Sequence, residues 1–239
     1  MTNEIIAALA GSLILASVHA LAPALIRLPE RYLAPMKSFS SGTGLAYVLL
    51  YLLFELAKYG APKIHALLPL GPEPLETLFI LLLGALSANY LLQAHLEKSP
   101  SLQDDYLGFA AFFLLYNFLA GAGIVEEARA ADMLSLGFYV TALGLHLLFN
   151  DLFLHHLNPG AHHWRWRIAL AAMPVFGCAV AIGFLLPEGV LYGMLAVVGG
   201  STIISVVRHE LPRSENFRPV AFVTGVVVYA TLILATWRF

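Results

Sequence analysis

The side chains best spaced for chemistry are His146 and Asn150. They stand four residues apart, inside an apolar run from Met133 to Leu157 that is long enough to cross a bilayer. A helix puts both on one face. Polar groups at mid-bilayer depth are costly, so their default reading is a functional site turned to the bundle interior. The preceding run carries Tyr116-Asn117 near its own middle. Two neighbouring helices are thus expected to bring imidazole, amide and phenol groups together. Asp151 is the nearest carboxylate, about 100° round the helix from Asn150. Zinc favours His, Cys and carboxylate ligands. The set His146, Asn117, Asn150 and Asp151 therefore points to one divalent metal ion or another small solute, and has too few strong ligands for two metals. The plainer reading is an interhelical hydrogen-bond cluster, worth ~1 kcal/mol or less per bond.

Other candidates surround this set. His19 follows Ser17 in the first run, where it lines an exit path or is bonded to a buried neighbour. Glu55 falls near the end of the second run, where it could guard an entrance. Ser87, Asn89, Tyr90, Gln93 and His95 gather towards the end of the third, where exposure at the membrane interface accounts for them. His155, His156, His162 and His163 fall within nine residues of one another, just before Trp164-Arg165-Trp166-Arg167. Imidazoles so placed could capture a metal, while the Trp and Arg residues form an aromatic-basic belt. Arg208-His209-Glu210 closes the seventh run. His19 and His146 could also ligate a haem. Cys178 is the single cysteine, so no internal disulfide exists. Neither a phosphate-binding glycine loop nor a nucleophile–base pair is present, and the chain is not expected to be an enzyme.

The elements that must position these groups are membrane spans. The 239 residues are 59% hydrophobic and 12% charged, with a mean hydropathy of +0.79. Soluble domains carry about twice that charge. A net charge of −2 without a basic run gives no footprint for nucleic acid. Eight helices are expected, at about 4–26, 38–58, 75–96, 106–124, 133–157, 168–186, 189–207 and 220–237. Proline and glycine mark most joints, among them Pro62, Pro159-Gly160 and Pro187. The sixth and seventh helices share so short a turn that they are expected to pack as antiparallel neighbours. Nine Lys and Arg fall in the first, third, fifth and seventh connections, against four on the other side. The richer side is expected to be cytoplasmic, with both termini outside. The whole is read as one all-α domain integral to a lipid bilayer, of the bacterial inner (plasma) membrane type. It would act alone, as a homodimer or as a subunit of a larger complex.

The second run carries Ser40-Ser41-Gly42-Thr43-Gly44 and then Glu55-Leu56; the seventh carries Gly199-Gly200-Ser201-Thr202 and then Glu210-Leu211. A shared pattern in oppositely directed helices suggests inverted repeats, helices 1–3 related to 6–8. Small-residue patches for close packing are the alternative. In this order and spacing the chain resembles the ZIP (Zrt/Irt-like) family of divalent-metal transporters. Phe39 to Glu55 is similar to the family's second helix, Gly200 to Pro212 to its seventh, and Ala221 to Gly225 to its eighth. Tyr116-Asn117-Phe118-Leu119-Ala120-Gly121 resembles the fourth-helix pattern His-Asn-x-x-Glu/Asp-Gly. His146 to Asn150 falls where the fifth helix carries its ligands. The resemblance implies a 3+2+3 arrangement of eight helices, a metal site between helices 4 and 5, and a divalent cation such as zinc as the transported substrate. Tyr116, Ala120, Leu147 and Asn150 depart from the family's ligand types, so the implied site is reduced. Those departures also suit a ZIP-shaped subunit that no longer transports and binds a partner protein or a cofactor instead.

Overall fold

In lipid a backbone has no water to satisfy it, so long apolar runs must close their hydrogen bonds internally as helices. The computed structural model describes residues 2–96, 102–129, 133–205 and 217–236. Those residues form helices and short connections, with no strand among them. The helices are α1 (Thr2–Ile26), α2 (Glu30–Leu67), α3 (Pro74–Leu96), α4 (Leu102–Arg129), α5 (Met133–Leu157), α6 (Trp164–Gly183), α7 (Glu188–Ser205) and α8 (Pro219–Thr236). All eight are long and apolar enough to cross a membrane. Arg208, His209 and Glu210 lie outside the described residues.

Several expected ends move, the start of α2 among them, which lies at Glu30 rather than about residue 38 because Pro35 is accommodated inside the helix. α2 does not stop at residue 58 but runs to Leu67, through two wide turns of π-helix, Tyr47–Leu52 and Leu56–Gly60. Glu55 is therefore mid-helix. Likewise α4 does not stop at residue 124; it continues to Arg129 and carries Glu126 and Glu127 inside the bundle.

α4 and α5 form the centre, with 61% and 67% of their spanning windows buried, against 22% for α3 and 17% for α8. α4 packs on α6, α7, α5 and α1; α1 packs on α6 and α5. α2 lies along α8, and α3 lies along α7. The expected α6–α7 pairing is not how these helices sit: α6 packs on α4 and α1, while α7 packs on α3, α4 and the second half of α2. The turn between them directs the chain away, with Leu185 at φ 48°. Close approach decides the partner. A side chain at Gly121 would strike the carbonyl of Pro174 on α6, and one at Gly177 would strike the carbonyl of Phe118 on α4. Backbones meeting this closely need glycine at both faces.

The outer faces carry large apolar side chains such as Phe79, Leu83 and Leu91 on α3 and Val220, Val223 and Val227 on α8. Such a surface is a liability in water and the right one against lipid.

Asn89 and Gln93 are not at an interface with headgroups; both are buried. Asn89 Nδ2 donates to the Ser201 carbonyl at 3.0 Å, and Gln93 Nε2 donates to Asn89 Oδ1 at 2.8 Å. This is polar glue between α3 and α7. Asn89→Ala is expected to lower stability by about 1 kcal/mol or less, the usual worth of such bonds in membranes, read as a small shift in a thermal melt in detergent.

Candidate functional site

One polar network begins with a proline. Pro174 in the middle of α6 has no N–H, so the carbonyl of Leu170, four residues earlier, loses its helical donor. Asn117 on α4 supplies one: its Nδ2 donates to the Leu170 oxygen at 3.1 Å. The second hydrogen of that amide points to His19 Nε2 on α1, at 3.2 Å. The imidazole therefore accepts at Nε2 and carries its proton on Nδ1, which donates to Asp151 Oδ2 at 3.1 Å. The other carboxylate oxygen, Oδ1, receives His162 Nε2 in a short contact. The Tyr106 hydroxyl closes the series on His162 Nδ1 at 2.9 Å. None of Asn117, His19, Asp151, His162 or Tyr106 is more than 4% exposed.

Local sequence explains how a connecting residue reaches this depth. Asn158-Pro159-Gly160 turns the chain at the end of α5, with the Asn158 side-chain oxygen accepting from the Ala161 N–H at 3.0 Å. The backbone N–H of His162 bonds the Asn158 carbonyl at 3.0 Å. The turn folds back and sends the His162 ring inward, while Trp166 packs edge-on to Tyr106, ring centroids 5.7 Å apart.

The expected metal set is thus divided. Asp151 and Asn117 are joined through His19, which the sequence left as a secondary residue. His146 stacks obliquely on Tyr116, ring centroids 5.5 Å apart. The Tyr116 hydroxyl meets Thr202 Oγ1 at 2.6 Å, and Thr202 donates to its own helix at Val198. Asn150 is buried and its amide nitrogen has no hydrogen-bond partner among the described residues. Of the four histidines near the α5–α6 connection, His162 is inside the network and His156 Nδ1 bonds the Leu152 carbonyl at 2.8 Å. His155 stands 6.2 Å from His162, ring to ring, and His163 is exposed. Among the described residues no three His, Cys, Asp or Glu side chains converge as they would to hold a metal ion.

A second polar region lies about 30 Å further along α4, the rise of its twenty residues from Tyr106 to Glu126. It is a cavity of about 460 Å³ lined by Tyr51, Glu55, Tyr59, Lys63, Glu126, Arg129, Ser135, Glu188 and Tyr192. Lys63 pairs with Glu188 across α2 and α7. Arg129 stands 3.6 Å from Glu126, which is itself buried. Glu127 is buried beside it and accepts from the Tyr51 hydroxyl at 3.5 Å. Tyr47 stacks on Tyr51 and meets Tyr139 edge-on, and Tyr139 donates to the Ala120 carbonyl at 2.6 Å. The π turns of α2 run through this wall, a deviation often found at functional positions.

Sequence reasoning passed over Glu126 and Glu127, because charges after an apolar run read as a helix end in water. It also passed over a visible signal. Tyr47, Tyr51, Glu55, Tyr59 and Lys63 recur every fourth residue along α2.

No protein-family model matches the chain, and no curated protein matches it. Residue roles therefore rest on this geometry.

Proposed function

We propose that the protein is a membrane transporter that passes a small cation through its interior. The observation that carries this reading is the line of polar groups along α4. Three carboxylates, Glu55, Glu126 and Glu188, share the cavity at one end with two cations, Lys63 and Arg129. Glu127 lies just behind them. Between that end and Asp151 at the other lie separate buried polar groups, Tyr139 beside Tyr47, Tyr116 with His146, and Asn117 with His19 and Asp151. Buried carboxylates inside spanning helices mark ion pathways. A mouth with an excess of negative charge concentrates cations.

The ZIP-like 3+2+3 arrangement is part of the proposal. It is supported by reciprocal packing: α2 lies on α8 as α7 lies on α3, the exchange that inverted repeats 1–3 and 6–8 would produce. Glycine mediates both contacts, Gly42 and Gly225 in one and Gly200 in the other. The excess of Lys and Arg in alternate connections supports a cytoplasmic placement for the His162 end. A divalent metal ion is the first cargo to test, as the family resemblance suggests. The lack of a converging three-ligand group among the described residues favours brief, weak contacts over a resident metal. The same lack supports the second reading, a subunit of this shape that does not transport.

The test is flux into liposomes that contain the purified protein and an ion-sensitive dye, with zinc, manganese, iron(II), nickel and alkali ions offered in turn. Uptake of at least one cation above protein-free vesicles is the expected result. Flat traces for every ion would remove the transport reading and leave the subunit.

A further inference from the structure

We propose that Asp151, His19 and His162 form a proton-binding site, and that the atom which gains and loses the proton is Nδ1 of His162. The inference does not depend on cation transport. It follows from the order in which the hydrogen bonds are forced.

Asn117 cannot turn its amide over. Doing so would set its side-chain oxygen against the Leu170 carbonyl, two acceptors 3.1 Å apart. Pro174 has no N–H with which to reclaim that carbonyl. With the amide fixed, an N–H of Asn117 faces His19 Nε2, and a second proton on His19 has no room. His19 is locked neutral, with its proton on Nδ1 and aimed at Asp151.

His162 has no such lock. Its Nδ1 faces the Tyr106 hydroxyl, which can donate or accept. When Nδ1 is bare, the hydroxyl donates to it. When Nδ1 takes a proton, the hydroxyl rotates and accepts. The imidazole becomes an imidazolium, or passes its Nε2 proton to Asp151 Oδ1 along the hydrogen bond between them. In either form the added proton is on Nδ1 and one O–H has rotated.

Charge makes the site hold that proton. Without it, Asp151 with two neutral imidazoles is a net negative charge in a buried place, which is costly. With it, the group is neutral. Among the described residues, the other titratable and charged groups nearby are Tyr106 of α4, His155 and His156 of α5, and Arg167 of α6, which acts electrostatically on His155. Charge on His155, His156 or Arg167 opposes the proton, and Asp151 favours it.

The experiment is nitrogen-15 NMR of histidine-labelled full-length protein in nanodiscs, from about pH 5 to about pH 9, where imidazoles change charge. Signals are assigned by loss in His19→Gln and His162→Gln. His162 Nδ1 is expected to pass from bare to protonated as pH falls, while His19 keeps a bare Nε2 throughout. Asp151→Asn removes the negative charge and should move the His162 transition down by about one pH unit or more, a tenfold weaker proton affinity. Should that variant not fold, Tyr106→Phe removes the hydroxyl that must accept from Nδ1 and should move the transition in the same direction. Pro174→Ala returns an N–H to the Leu170 carbonyl, frees Asn117 to turn, and should let His19 compete for the proton. A second proton on His19 in the unaltered protein would overturn the proposal. So would a His162 ring that never changes, or a transition indifferent to the Asp151 and Tyr106 variants.

Discussion

Gly121→Val is expected to lower the melting temperature of the detergent-solubilised protein more than any other single change described here. The added Cβ meets the carbonyl of Pro174, which is backbone and cannot rotate aside. Overpacking typically costs about 1–3 kcal/mol when side chains can adjust. Here α4 and α6 must separate, so the loss should fall at or above the top of that range. The same separation draws Leu170 from Asn117, which ties the lesion to the polar network. Gly137→Ala is the matched control. That glycine is exposed with nothing near its Cβ position. Replacing it should be neutral or gain up to about 1 kcal/mol of helix propensity. Equal melts for the two variants would mean that the α4–α6 contact is not the close one described.

Glu127→Gln is expected to lower cation flux about tenfold or more while leaving the melt nearly unchanged. Glutamine keeps the shape and the bond from Tyr51 but removes the charge. Two unit charges 4 Å apart at an effective dielectric of about 20 interact by about 4 kcal/mol. A third of that is about a tenfold change in rate. Glu76→Gln, in the first turn of α3 outside the cavity, should leave flux unaltered. If both variants conduct alike, the cation does not pass Glu127.

Local rules carried the fold a long way. α5 was legible at about 133–157, because its apolar run is continuous and an Asn-Pro-Gly turn ends it. α2 was cut short because Pro62 reads as a breaker. In the structure Pro62 sits at the start of a fresh α-helical stretch after a π turn, where a missing N–H is cheap. The site was legible only in its parts. Helical geometry correctly turned Asp151 away from Asn150, but nothing local says which helix waits on that side. His19 and His162 are 132 and 11 residues from Asp151 in sequence, and only packing brings all three together. Asn117 shows the same limit, since its partner is a carbonyl stranded by a proline on another helix.

The wide turns in α2 have one more consequence. On an ordinary α-helix, residues taken every four positions wind off a straight line by about 40° at each step. From Tyr51 to Lys63 that would spiral the row about a third of the way round the rod. The slacker winding at Tyr47–Leu52 and Leu56–Gly60 takes up the surplus, so the row runs as a straight banister beside the cavity. Removing one residue within Leu56–Gly60 would restore the standard pitch and still keep Lys63 on the cavity side, since eleven steps of about 100° return it to within about 20° of Tyr51. Removing one from an ordinary α turn would instead swing the lower rungs toward lipid. A deletion series through residues 47–60 would therefore trace the banister step by step.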